Sequence, residues 1–156
     1  MAAPALPVSN PFAEEALIAG VMWRRVVAWW LDMLLVGLLA GVLWFVLLTF
    51  GIFTLGLSLP LLGLLPLLPL CYHVGWLAGA GATPGQALMG LMVRDNATLA
   101  APDLLAALIS TIVFYATIAV SFIPLLITPF TDRHRTLHDL VSGLVVVRAR
   151  ALWGGR

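Results

Sequence analysis

From Val26 to Thr49 the chain is apolar at almost every position, and one carboxylate, Asp32, lies inside that run. Arg24 and Arg25 stand at its mouth, and Trp29 and Trp30 follow about one turn in. A bilayer span needs about 20 mostly apolar residues, so residues 26–49 are predicted as a first membrane helix. A second apolar tract, residues 57–80, is interrupted by Pro60, Pro66 and Pro69. Each interior proline removes a helix hydrogen bond and kinks the axis, which a bilayer tolerates when neighbours satisfy the freed carbonyl. A third tract, residues 104–129, contains Pro124 and is predicted as one span, either complete or broken and re-entrant there.

The connectors have their own grammar. Phe50 to Leu59 carries Gly51, Gly56 and Ser58 and reads as a tight turn at the far membrane face. Thr83-Pro84-Gly85-Gln86 places an N-cap, a proline at the first helical position and a glutamine at the third, the pattern of a capping box. It predicts a short interfacial helix over residues 81–94, with Leu88, Leu91 and Met92 on its apolar face. Asp95-Asn96 predicts a turn, and Pro102-Asp103 a helix start, since a carboxylate there faces the positive end of the helix. Thr136 is placed to cap another short turn with Asp139 at its third position. Leu144 to Val147 is a β-branched run that fits either a short strand or an interfacial segment.

Composition supports a membrane class. Of 156 residues 62% are hydrophobic and 10% charged, with mean hydropathy +1.08, against about 25% charged in soluble domains. Residues 33–93 contain no Asp, Glu, Lys or Arg. The net charge of +1 implies nothing about nucleic acid, and no such partner is expected; the lone Cys71 supplies no disulfide framework. The first residues lack a basic segment and carry Glu14 and Glu15, so they do not read as a cleaved signal peptide; the first span is expected to act as an uncleaved targeting signal. The expected organisation is a partly disordered tail over 1–22, a transmembrane domain over 23–148 and a C-terminal tail over 149–156.

Positive charge gathers on the cytoplasmic side of membrane proteins. Arg24, Arg25 and Arg94 agree on a cytoplasmic N-terminus with two spans between them. A third complete span would send Arg133, Arg135, Arg148, Arg150 and Arg156 to the opposite side, so the side of the tail is left open.

An acid inside a span is a site hypothesis by default. Asp32 lies about two turns beyond Arg25 on nearly the same face, but helical side chains lean toward the N-terminus, so a direct pair is strained. Arg25 can reach headgroups, whereas Asp32 needs a partner from another element, water or a proton. His73, at the same end of the second span, is one candidate partner, although a histidine reaching the interface is the plainer reading. The cluster Arg133, His134, Arg135, His138 and Asp139 is another. His134 and His138 are spaced to clamp a metal on a helix, but no further ligands stand nearby as a zinc site requires. There is no nucleophile elbow, Walker motif or CxxC pair. No enzymatic activity, cofactor or metal is expected.

Three segments together resemble a known family. Arg25, Ala28 and Asp32 open the first span, GATPGQALMGLMV follows the second, and RTLHDLVSGLVVV closes the chain. In that order they resemble the RDD family of small bacterial integral membrane proteins. The resemblance implies that Arg25, Asp32 and Asp139 are the family's arginine and two aspartates. With Arg135 and His138 they form the expected functional polar network, with Arg24, His73 and Arg94 as further partners. It implies an all-α polytopic protein of the bacterial inner membrane, and a transport role proposed for some members. Two functions follow. One is an oligomeric transporter or transporter component moving ions or protons, with Asp32 as coupling carboxylate. The other is a non-transporting accessory protein that binds lipid headgroups or partner membrane proteins, with Asp32 as a folding pin.

Overall fold

The computed structural model describes residues 11–120 and 136–153. Its longest element, α2, spans Val21–Phe53, 33 residues or about 50 Å at the α-helical rise. It follows a short helix, α1, over Pro11–Ile18. After a turn at residues 54–58 the chain enters a 3-10 helix over Leu59–Leu67, then α3 over Leu68–Ala80. Among the described residues these are the two apolar helical stretches long enough to cross a bilayer, the first extending to Phe53 and the second covering Leu59–Ala80. Their outward side chains are apolar, as at Leu38 (69% exposed) and Ile52 (72%). Hydrocarbon surface of this kind is stable against lipid and costly against water.

The second stretch differs from a kinked α-helix. With Pro60 and Pro66 in its first half, the chain keeps a 3-10 ladder for nine residues, because proline cannot supply the N–H an α-ladder requires. The far turn begins later than expected, since α2 continues through Phe53. Ser58 Oγ closes this turn by donating to the Leu47 carbonyl at 2.8 Å.

The interfacial helix is much shorter than the sequence suggests. α4 covers only Pro84–Leu88. Gly90, at φ +67, takes the left-handed conformation that glycine adopts at no steric cost and turns the chain into strand β1, Leu91–Asp95. Leu91 and Met92 therefore belong to a strand, and Leu91 is fully buried instead of lying on a membrane surface. β1 pairs antiparallel with β2, Leu144–Arg148, in the register Leu91↔Arg148 to Asp95↔Leu144. Among the described residues the mainly helical protein thus contains one two-stranded ribbon, and of the two readings of Leu144–Val147 the strand is the one observed.

Both faces of this ribbon are covered, which is why β2 is a continuous apolar run and not an alternating one. Leu91, Val93, Leu144 and Val146 pack on Val21, Leu77 and Ala107 of the helices. On the other face, Val145 and Val147 pack on Leu17 and Ile18 of α1 and on Ala151 and Leu152 of α7, Ala149–Trp153.

α5 covers Leu104–Val120 and starts where expected, with Asp103 Oδ1 accepting the Ala106 N–H at 2.7 Å. The expected remainder of the third span, including Pro124, and the residues Arg133, His134 and Arg135 lie outside the described residues. α6, Leu137–Ser142, precedes β2. Because β2 pairs with β1, the chain after α5 is back at the end of the molecule where it began. Arg24, Arg25, Arg94 and Arg148 all stand at that end.

Candidate functional site

Two short helices, α4 packed on α2 and α6 packed on α5, are each begun by the same local device. At α4 the Gln86 N–H donates to Thr83 Oγ1 at 3.3 Å, and Gln86 Oε1 accepts the Thr83 N–H at 3.0 Å. At α6 the Thr136 N–H donates to Asp139 Oδ2 at 3.1 Å, and the Thr136 hydroxyl donates to the same oxygen at 2.8 Å. Each box satisfies N–H groups that a helix start otherwise leaves without partners.

Asp32 binds the first of these helices to α2. It is 3% exposed and accepts from Tyr72 Oη at 2.8 Å, Thr83 Oγ1 at 2.6 Å and the Gly85 N–H at 2.9 Å. The donors come from α3 and from the start of α4. Gly85 permits the approach: a Cβ there would land on the Ala28 carbonyl oxygen and 2.8 Å from the Asp32 carboxyl carbon. The expected partner His73 makes no hydrogen bond to Asp32. Its Nδ1 lies 2.9 Å from the Pro69 carbonyl and 3.0 Å from Tyr115 Oη, and the neighbouring Tyr72 serves Asp32 instead.

Arg25 binds the second helix. Rather than reaching for headgroups, it turns inward and donates from Nη2 to Asp139 Oδ2 at 2.6 Å, with Thr136 Oγ1 3.5 Å from Nη1. Asp139 is 2% exposed. Burial alone would raise its carboxyl, but the Arg25 guanidinium, His138 and the two Thr136 bonds together hold it below the ordinary carboxylate value. Burial pushes the adjacent His138 below its ordinary 6.5; Asp139 opposes that shift and Arg25 adds to it. The His138 ring meets Phe114 of α5 edge-on at 5.1 Å.

The other expected partners are placed differently. Arg24 Nη1 donates to the Met89 carbonyl at 2.7 Å, closing the end of α4, and its guanidinium lies 4.9 Å from the Trp23 ring centre. The Arg94 guanidinium lies against Gly81, where burial lowers its pKa. Arg135 is outside the described residues.

Between α2, α3, α5 and α6 lies a cavity of about 370 Å³. Arg25, Asp32, His73, Thr83, His138 and Asp139 all line it, so the structure gathers most of the predicted network around one space. Ser110, Thr111 and Phe114 of α5 complete the wall, and sequence reasoning missed them. The adjacent polar pair Ser110-Thr111 in a mainly apolar helix is the signal in the sequence for the first two. Among the described residues no group of three or more His, Cys, Asp or Glu is placed to hold a metal ion.

The sequence matches the model of the RDD family over residues 19–143. No curated protein and no solved structure matches it.

Proposed function

The chain belongs to the RDD family, and from that premise we propose that this small bacterial membrane protein is a non-transporting accessory protein. In this reading its polar end binds lipid headgroups or partner membrane proteins, and Asp32 acts as a folding pin. The supporting observation is the set of three donors on Asp32, at 2.6–2.9 Å, from two other elements. A coupling carboxylate must release its partners in every cycle. Here donors from two other elements tie the carboxylate into the packing of α2, α3 and α4.

The test is ion flux in proteoliposomes holding the full-length protein, scored per folded molecule. The accessory reading expects no proton or sodium flux above empty vesicles, and a lower folded yield for Asp32→Asn. Flux that is present in the parent and absent in a folded Asp32→Asn protein would overturn it.

Transport is the second reading, and the cavity favours it: Asp32, His73, His138 and Asp139 all face one space of about 370 Å³. One chain encloses little of a pathway, so this reading requires an oligomer. The same flux measurement decides between the two.

A further inference from the structure

Two N–H donors on residues that line the cavity, Arg25 Nε and Trp29 Nε1, have no acceptor among the described residues. Asp32 already accepts three bonds, and Asp139 Oδ2 accepts from Arg25 and Thr136. Both of the N–H donors are buried. Guanidinium and indole N–H groups can only donate, so nothing in their own chemistry relieves them. Ser110 is 4% exposed, lines the cavity and makes no side-chain hydrogen bond to a described residue. The Gln86 side-chain oxygen is held by Thr83, which leaves its amide nitrogen for the cavity. What completes such a wall is a group rich in acceptors.

The mouth indicates where that group comes from. Met22, Val26 and Trp30 recur every four residues along one stripe of α2; all three line the cavity and are exposed. Asp32 lies 21 residues before the end of α2, roughly 30 Å at the helical rise, about the hydrocarbon thickness. Trp30 and the mouth therefore stand at the membrane boundary and open sideways to lipid.

We propose that this cavity receives the headgroup of a phospholipid from the surrounding leaflet, its phosphodiester oxygens accepting from Arg25, Trp29, Ser110 and Gln86 and its acyl chains remaining outside. Its volume lies within the usual range of small-ligand pockets. The proposal rests on the lipid-binding form of the accessory reading, but its test is separate. Asp32-dependent flux with specific lipid binding would remove that reading and leave the site; no flux and no specific lipid binding would do the reverse.

The experiment uses full-length protein in a maltoside detergent, stripped of lipid. It is titrated with dioleoylphosphatidylglycerol, with dioleoylglycerol (the same chains without phosphate) and with inorganic phosphate. Bound lipid is read by native mass spectrometry, and stabilisation by thermal unfolding. The expected result is one retained phospholipid per chain and a raised Tm, with neither effect from dioleoylglycerol or phosphate. Ser110→Leu fills the space and should abolish retention. The conservative pair Trp29→Phe with Ser110→Ala removes two donors and should weaken binding about tenfold, and it decides the matter if the leucine variant does not fold. Unweakened binding in the conservative pair means annular lipid and overturns the site. Equal retention of dioleoylglycerol means that phosphate is not read, and stabilisation by phosphate alone means an aqueous anion; each overturns the proposal.

Discussion

Arg25 and Asp32 stand seven residues apart on α2 and are taken by different partners, Asp139 on α6 and the Tyr72–Thr83–Gly85 donors at α3 and α4. Asp32→Ala leaves those donors without their acceptor in a buried place. Bonds to charged groups contribute about 1.5–3 kcal/mol, so a loss of about 3 kcal/mol is expected, read as a lowered denaturation midpoint in detergent. Arg25→Ala removes the guanidinium from a carboxylate that is 2% exposed. Breaking a buried pair from one side costs about 3–5 kcal/mol, and Arg25→Lys, which keeps the charge without the fork, should recover part of it. Gly85→Ala places a methyl on the Ala28 carbonyl and Asp32. Overpacking of this kind costs about 1–3 kcal/mol and should push α4 off α2, visible as faster hydrogen exchange at the amide of position 85.

Among the elements, the short helices depend most on their surroundings. Six residues of α6 could not hold a helix alone; its capping box, Arg25 and the contact of His138 with Phe114 hold it. This makes its docking sensitive to acid. His138 has a folded pKa below its unfolded 6.5, so below that value the unfolded chain binds a proton that the folded chain refuses. Its contribution is complete above about pH 6.5 and shrinks as pH falls. Asp139, held below its ordinary value, contributes stability above that value and loses it as pH falls through the depressed one. Thermal unfolding from pH 7 to 5 should therefore show a falling Tm. His138→Gln should flatten that fall and keep the loss at lower pH. The capping boxes at Thr83 and Thr136 were legible in the sequence because capping is local. The extent of α4 was not, because residues 91–95 could continue an amphipathic helix until β2 pairs with them.

For the whole molecule, the β1–β2 ribbon decides where the described part of the arginine-rich tail lies. With β2 back beside β1, Arg24, Arg25, Arg94 and Arg148 share one end, as the bias of positive charge toward the cytoplasm requires. Reporters fused before Met1 and after Arg156 should both report the cytoplasm; an extracytoplasmic signal from the second alone would restore three complete crossings.

The sequence by itself determined the membrane class, two stretches long and apolar enough to cross, the local caps and, by resemblance, the family. These follow from composition, run length and interactions within a few residues. Only the tertiary structure decided which donor meets Asp32, that Arg25 turns inward to Asp139, that β1 and β2 form a ribbon, and that one cavity gathers these groups. Each of these depends on contacts between distant residues, as with Asp32 and Thr83 or Arg25 and Asp139, and such partners are chosen by how whole elements pack.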